Sequence, residues 1–226
     1  CIEHAALFRS ANVTSLQRYR QRCRSLSDPR AALVRVLSRQ ANDMRIAYGV
    51  HGYSRGHATR ALAVTEALGR RHELRLFAGG DAYDILSSHW PVVRIPSLGF
   101  SYRDGRRSNW QTFRQNLPSL CDLVRGGPGV AEIRESLRTF QPDALISDAE
   151  PWTQRAAEQL GLPRITFDHF GILVHCRVQL PWLDWLKGLF DRCAYRWLMR
   201  SPERVLVSSF FRAAARHPGD GRTQFG

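Results

Sequence analysis

The stretch "MRIAYGVHGYSRGHATRALAV", residues 44–64, decides the fold that the sequence predicts. It begins with a short apolar run that is typical of a buried β-strand. It ends with the apolar spacing of an amphipathic helix. Three glycines and two histidines lie between these two patterns. A strand that leads through a glycine-rich turn into a helix is the first part of a βαβ unit.

Strand-like and helix-like patterns continue to alternate beyond this stretch. Further strands are predicted at "HELRLFAGG", "PVVRIP", "PDALISD", "PRITFDHF" and "RVLVSS", with helical segments between most of them and no strand after Ser208. This alternation predicts an α/β fold with a Rossmann-like, doubly wound parallel sheet. In a Rossmann-like strand order the first and fourth strands are neighbours, so the loops that follow them flank one crevice. His57 and Asp148 lie on those two loops.

The chain has 226 residues and a formal net charge of +13, but Lys187 is its only lysine. The arginines are scattered without a run or an aromatic ladder, so we expect no nucleic-acid partner despite the charge. Five widely spaced cysteines form no C-x-x-C pair, and no metal-ligand cluster is visible. No apolar run approaches the length of a membrane span. The composition therefore favours a cytoplasmic globular protein with reduced thiols.

Three segments differ in pattern. Residues 1–43 are arginine-rich with weak helical periodicity, and we interpret them as a basic extension outside the fold. Residues 44–210 carry the regular alternation and are predicted to form one Rossmann-like domain. Residues 211–226 are rich in turn residues and are predicted to be irregular.

The glycine loop has two interpretations. Its glycines, at 49, 52 and 56, match neither the dinucleotide fingerprint nor a P-loop. Backbone amides at the start of the following helix could still bind an anion such as a diphosphate. The alternative is a tight turn that binds no ligand.

His57 also has two interpretations. The helix dipole disfavours a positive charge on a histidine near a helix start, and a neutral imidazole is a competent general base. A carboxylate such as Asp148 would fix the tautomer of that imidazole and stabilise the imidazolium. The alternative is that His57 is a capping or loop residue and that Asp148 is the N-cap of the next helix.

Two of these stretches together resemble the N-terminal half of GT-B glycosyltransferases. "GVHGYSRGHATRALAVTEALGRRHELRLFAGGDAY" is similar to the bacterial group related to the peptidoglycan GlcNAc transferase. "PDALISDAEPWTQRAAEQLGLPRITFDH" also resembles plant UDP-glycosyltransferases, in which a strand ends in aspartate and a Pro-Trp helix follows. The resemblance covers about residues 44–210.

The resemblance implies an inverting glycosyl transfer from a nucleotide sugar, a UDP-sugar first, with no metal or other cofactor. It implies that the N-terminal domain binds the acceptor and that His57 and Asp148 form the catalytic dyad. It also implies that the loop Gly52, Tyr53, Ser54, Arg55 and Gly56 faces the donor diphosphate.

The sequence departs from this family in one respect, because no second Rossmann-like, donor-binding domain is recognisable. We therefore expect this chain to be the acceptor-binding half, and to turn over poorly or not at all alone. Two other functions stay open: a non-catalytic acceptor-binding or scaffold subunit that needs a partner chain, and a fragment of a sugar-nucleotide epimerase.

Two features bear on the acceptor. Asp168 and His169 end another strand at the same edge of the sheet. They are interpreted as residues of the acceptor pocket, and the alternative is that they are ordinary loop residues. A helix in residues 181–200 combines aromatic with basic residues, as in helices that lie on anionic membranes. A helix packed against the sheet is the alternative. The first interpretation of each predicts a lipid-linked or small hydrophobic acceptor, and a peripheral position of the protein at the inner face of the plasma membrane.

Overall fold

The computed structural model describes residues 44–178, 181, 185–208, 214–217 and 223–225. The predicted extension 1–43 lies outside the described residues, as do Trp182 and Leu183 of the predicted aromatic helix.

The described residues form an α/β fold. The strands of the main sheet are β1 (Arg45–Val50), β2 (Glu73–Ala78), β3 (Val92–Arg94), β6 (Ala144–Asp148), β7 (Arg164–Asp168), β8 (Arg204–Val207) and β9 (Thr223–Phe225). A separate hairpin is formed by β4 (Tyr102–Arg103) and β5 (Arg106–Arg107). The helices are α1 (Arg55–Leu68), α2 (Gly80–Leu86), α3 (Asn109–Arg125), α4 (Pro128–Phe140), α5 (Pro151–Gln159), α6 (Gly171–His175) and α7 (Trp185–Met199).

The main sheet is parallel throughout, in the order β3-β2-β1-β6-β7-β8-β9. The strand order reverses at β1, which pairs with both β2 and β6. This confirms the predicted fold class and the predicted neighbourhood of the first and fourth strands. In register, Val50 lies opposite Asp148, so both strands end at the same edge. That edge is where doubly wound sheets bind ligands.

Helices cover both faces of the sheet, because successive strand residues point to opposite sides. On one face Ile46, Tyr48 and Val50 pack in a cluster that includes apolar residues of α1 and α2. On the other face Ala47 packs in a cluster that includes residues of α3, α4 and α5, among them the fully buried Trp152. The two cores hold the central strands, and therefore their carboxyl ends, in fixed positions.

The structure corrects the prediction of no strand after Ser208. Thr223–Phe225 forms β9 and pairs in parallel with β8. Three residues are too few to show a strand period in the sequence, and the surrounding glycines favour a turn assignment. The hairpin of β4 and β5, in the connection between β3 and α3, is likewise too short to show a strand period in the sequence.

Among the helices that the structure describes, none is both long enough and apolar enough to cross a membrane.

Candidate active site

Two loops at the carboxyl edge of the sheet bring His57 and Asp148 together. His57 is the third residue of α1, and Asp148 is the last residue of β6, so each lies next to its predicted loop and not on it. The amide of His51, in the loop that leads to α1, donates to the carbonyl oxygen of Asp148 at 3.0 Å. The loop after β1 is thereby attached to the end of β6, its neighbour in the sheet.

The side chains of this pair are in direct contact. Nδ1 of His57 lies 2.8 Å from Oδ1 of Asp148. The Asp148 side chain is fully buried, and 10% of the His57 side chain is exposed. The ring of Phe170 stacks on the His57 ring with centroids 6.2 Å apart. The imidazole is therefore oriented by a buried carboxylate on one ring nitrogen and by an aromatic ring on its face.

Arg60 is a third member of this cluster, and the sequence pattern did not predict a role for it. Its Nε donates to Oδ2 of Asp148 at 2.9 Å, and its Nη2 donates to Oδ1. Arg60 follows His57 by three residues in α1, so the two side chains share one face of the helix. The three-residue spacing indicates that His57 and Arg60 lie on the same face of the helix. The sequence alone does not show that this face contacts an aspartate.

Asp148 does not cap the helix that follows it, so the prediction of Asp148 as that N-cap is wrong. The N-cap of α5 is Glu150, whose carboxylate accepts hydrogen bonds from the amides of Trp152 at 2.9 Å and Thr153 at 2.7 Å. Burial raises the pKa of Glu150 to about 7, although these hydrogen bonds oppose the shift. Since Glu150 satisfies the helix amides, both oxygens of Asp148 are available to His57 and Arg60.

The predicted donor loop has a buried part and an exposed part. Gly52 is buried, and a Cβ there would lie 2.6 Å from the carbonyl oxygen of Gly79, so only glycine lets these two loops touch. The hydroxyl of Tyr53 lies 3.1 Å from that of Tyr102. Ser54, Arg55 and Gly56 are exposed at the start of α1.

The backbone at the start of α1 is strained. Ser54 has a φ of 75° and a ψ of 148°, a conformation that glycine adopts readily and other residues rarely. Its side chain makes no capping hydrogen bond to the helix. A Cβ on Gly56 would meet nothing closer than the Ser54 Oγ at 3.9 Å. Because this cap is missing, the first amides of α1 have no side-chain partner from Ser54.

The predicted acceptor residues differ from each other in exposure. Asp168 is buried and accepts hydrogen bonds from the Tyr195 hydroxyl at 2.5 Å and the Gly171 amide at 2.7 Å. His169 is exposed, and its Nδ1 lies 2.9 Å from the carbonyl oxygen of Ser208. Burial raises the pKa of Asp168 to about 6, with the charge of Asp148 acting in the same direction.

A second histidine lies beside the pair. The rings of His51 and His57 meet edge to face, with centroids 5.2 Å apart. Burial lowers the pKa of His51 to about 4, and His57 acts in the same direction. His51 is therefore neutral near pH 7 and adds no charge to the site. No group of His, Cys, Asp or Glu side chains in the described part of the chain could hold a metal ion.

Comparison with known proteins gives a family and several structural neighbours. A family model described as "Glycosyl transferase family 1" matches residues 44–223. The chain is similar to Acinetobacter baumannii MurG at 13% identity, with a TM-score of 0.48, covering 80% of this chain and 45% of that one. It is similar to Phytolacca americana UGT2 at 15% identity, with a TM-score of 0.46, covering 74% and 48%.

A third neighbour is Arabidopsis thaliana UGT89C1, at 16% identity and a TM-score of 0.40, with 74% of this chain and 45% of that one covered. This chain therefore spans about half the length of these solved structures. A comparison with curated protein sequences gives no match.

Proposed function

The chain belongs to glycosyl transferase family 1, and we propose that it forms the acceptor-binding side of an inverting, nucleotide-sugar-dependent glycosyltransferase. The observation that carries this proposal is the contact between the buried Asp148 and His57 at the carboxyl edge of the central strands. Such an edge is the ligand-binding edge of a doubly wound sheet. A histidine held by a buried carboxylate is an arrangement for removing a proton.

The hydrogen-bonding capacities of the pair indicate which nitrogen acts. An ionised carboxylate only accepts hydrogen bonds, so Nδ1 of His57 carries the proton that it donates to Asp148. Nε2 then holds the lone pair. In the proposed step Nε2 takes the proton of an acceptor hydroxyl, and the oxygen attacks the anomeric carbon of the sugar. The bond from that carbon to the diphosphate breaks, and the nucleoside diphosphate leaves with the electron pair.

The loop Gly52–Gly56 and the start of α1 are proposed to face the donor diphosphate. The amides at a helix start and the positive end of the helix dipole favour an anion there. Gly56 leaves space for it, and Arg55 adds an exposed positive charge beside it. We propose a UDP-sugar as the first donor to test. In a GT-B enzyme a second domain supplies the remaining donor contacts.

The acceptor is proposed to be lipid-linked or a small hydrophobic molecule, bound near Asp168 and His169. Phe170 follows these residues, is exposed, and stacks on His57, so an apolar surface adjoins the base. In α7, Trp185, Leu186 and Phe190 are exposed together with basic residues, which favours contact with an anionic membrane. Such a contact would place the protein at the cytoplasmic membrane surface.

The experiment is a transfer assay on the protein that contains this chain, with radiolabelled UDP-sugars and a panel of polyprenyl and small aromatic alcohols as acceptors. We expect His57→Gln to lower the transfer rate by roughly 10²–10⁴-fold. The control, His89→Gln, changes an exposed histidine away from the site and should leave the rate unchanged. The anomeric configuration of the product, read by NMR, should be inverted.

Each part of the proposal has its own contrary result. Full activity of His57→Gln would remove the base assignment, and a retained anomeric configuration would remove the single displacement. Acceptor binding that persists with no transfer under any condition would favour a non-catalytic acceptor-binding subunit. Sugar-nucleotide conversion without an acceptor would favour an epimerase.

A further inference from the structure

Arg60 occupies a position that the acid–base chemistry of His57 and Asp148 alone does not explain. We propose that Arg60 is a positioning residue which fixes Asp148 with a two-point hydrogen bond and offsets its charge, so that His57 stays a neutral base. The inference rests on the proposed function of His57. It adds a third residue, and a stated effect on the pH dependence, to that function.

The geometry of Arg60 fits a fork that orients a carboxylate. Nε bonds one carboxylate oxygen of Asp148 and Nη2 bonds the other. Two parallel N–H···O contacts fix both the position and the plane of a carboxylate, which a lysine cannot do with a single ammonium. Asp148 is completely buried, whereas 18% of the Arg60 side chain is exposed. The carboxylate plane, and with it the direction toward His57, is thus set from α1.

One contact in the cluster is not a hydrogen bond. Nη2 of Arg60 lies 3.1 Å from Nδ1 of His57. A guanidinium only donates, and Nδ1 carries a proton that it donates to Asp148, so the two nitrogens share Oδ1 of Asp148 as a common acceptor. A second positive charge on His57 would therefore lie next to that of Arg60. This closeness disfavours the imidazolium before the acceptor proton arrives.

The charges of Arg60 and Asp148 also favour a neutral His57. Burial acts to lower the pKa of Arg60, but the charge of Asp148 and the hydrogen bonds to it outweigh burial and raise that pKa. Arg60 is therefore always charged, and its pair with Asp148 is neutral as a whole. A carboxylate without this partner would stabilise a protonated histidine much more strongly, since an opposite charge at contact distance favours the charged form.

The other titratable groups around the cluster are neutral or are shared by the same arginine. The pKa of His51 is lowered to about 4, mainly by burial, so His51 contributes no charge near pH 7. Asp168 interacts with both Asp148 and Arg60, and Tyr195 donates to Asp168. Burial raises the pKa of Tyr48 well above its usual range, and the charge of Asp148 acts in the same direction. Arg60 is thus the nearest positive charge to this buried carboxylate.

The test is an NMR titration of His57 in the chain labelled at the histidine rings, which requires no substrate. In Arg60→Gln we expect the midpoint of the imidazole titration to rise by roughly one pH unit or more. Arg60→Lys keeps the charge but not the fork, and we expect less than half of that rise. Arg70→Gln removes one exposed arginine near the other end of α1 and should leave the midpoint unchanged.

A double variant keeps the test decisive if Arg60→Gln does not fold. Arg60→Gln with Asp148→Asn removes both charges, so no buried charge is left without a partner. We expect this variant to fold and the His57 midpoint to lie within roughly half a pH unit of the wild-type value. A rise in the double variant, or an unchanged midpoint in a folded Arg60→Gln chain, would overturn the inference. If the titration shifts as expected while His57→Gln retains transfer, the charge effect stands and the base assignment fails.

Discussion

Two aspartates end neighbouring parallel strands at the same edge of the sheet, yet their surroundings differ. Asp148, at the end of β6, meets an arginine and a histidine. Asp168, at the end of β7, meets a tyrosine hydroxyl and one backbone amide. Both carboxylates are buried. The same residue type in equivalent positions thus has a cation among its partners in one strand and only neutral partners in the next.

The difference decides what each carboxylate can do. Asp148 has a guanidinium in contact, which suits the role beside His57 that we propose for it. Without a cation in contact, burial raises the pKa of Asp168 to about 6 despite its two hydrogen bonds. Asp168 is therefore bonded only to neutral donors that the structure describes, the Gly171 amide in α6 and the Tyr195 hydroxyl in α7. Burial at a ligand-binding edge does not by itself make an aspartate catalytic, because the partner determines the role.

The largest expected effect is on the transfer rate. We expect Asp148→Asn to lower kcat by roughly 10³-fold, because an amide cannot both accept from Nδ1 of His57 and stabilise the imidazolium. We expect Asp168→Asn to lower it by less than roughly tenfold. Asp84→Asn, at an exposed position in α2, is the control. Steady-state kinetics of the three variants measure these effects. Equal losses of kcat in Asp148→Asn and Asp168→Asn would contradict the difference in role between the two aspartates.

The next effect is on stability as the pH changes. The folded Asp168 carboxyl, with its pKa raised to about 6 from 3.8, holds its proton more tightly than the unfolded one. Its contribution to stability is therefore complete below about pH 4 and is lost as the pH rises through about 6. We expect the free energy of unfolding to fall by roughly 1–2 kcal/mol from pH 5 to pH 8 on this account.

Urea unfolding at the two pH values measures this dependence. In Asp168→Asn the fall should become smaller by that amount. Glu150, with its pKa raised to about 7, should continue to contribute a fall of the same sign. A pH dependence that Asp168→Asn leaves unchanged would show that Asp168 is ionised in the folded chain, like an aspartate with a cation partner.

A smaller effect on the free energy of unfolding comes from Tyr195, the tyrosine that bonds Asp168. The Tyr195 hydroxyl favours the ionised form of Asp168. Tyr195→Phe should therefore raise the pKa of Asp168 further and lower the free energy of unfolding by about 1 kcal/mol at pH 8. The loss should shrink toward pH 5, where the carboxyl is protonated. Denaturation at both pH values checks this, and a loss that does not depend on pH would mean that the hydroxyl serves packing alone.

The smallest effect concerns the backbone on the His57 side. Ser54 precedes α1 with a φ of 75°, and Ala149 follows Asp148 with a φ of 52°, whereas Phe170 near Asp168 has an ordinary φ of −65°. We expect Ser54→Gly to raise the free energy of unfolding by roughly 0.5–1 kcal/mol, because glycine adopts the strained conformation without cost. Ser54→Ala removes the same hydroxyl without that relief and should not stabilise the chain. Thermal unfolding compares the two.

Much of the fold could be predicted because the central strands are long and buried. Their apolar runs, and the helical spacing between them, identify β1, α1, β6 and β7 from the sequence alone. β9 has only three residues, and its place in the sheet depends on pairing with a strand far from any local pattern. Short edge strands are set by their neighbours, so local patterns do not reveal them.

The site was predictable as far as topology determines it. The reversal of strand order at β1 brings His57 toward Asp148, which the sequence pattern predicts and the 2.8 Å contact shows. Arg60 and Tyr195 were not predicted as partners, because each depends on how a helix is rotated about its axis. Tyr195 lies 27 residues from Asp168, in a helix whose aromatic residues obscure any single buried face. Rotation of that kind is fixed by packing.

The most direct test of the central claim is the ¹⁵N NMR spectrum of the His57 ring in the chain near pH 7.5, assigned by its absence in His57→Gln. We expect a neutral ring with the proton on Nδ1, donated to Asp148, and an unprotonated Nε2. In Asp148→Asn this preference for one tautomer should weaken. A ring with its proton on Nε2, or one that carries both protons at this pH, would have no lone pair for an acceptor hydroxyl and would contradict the account.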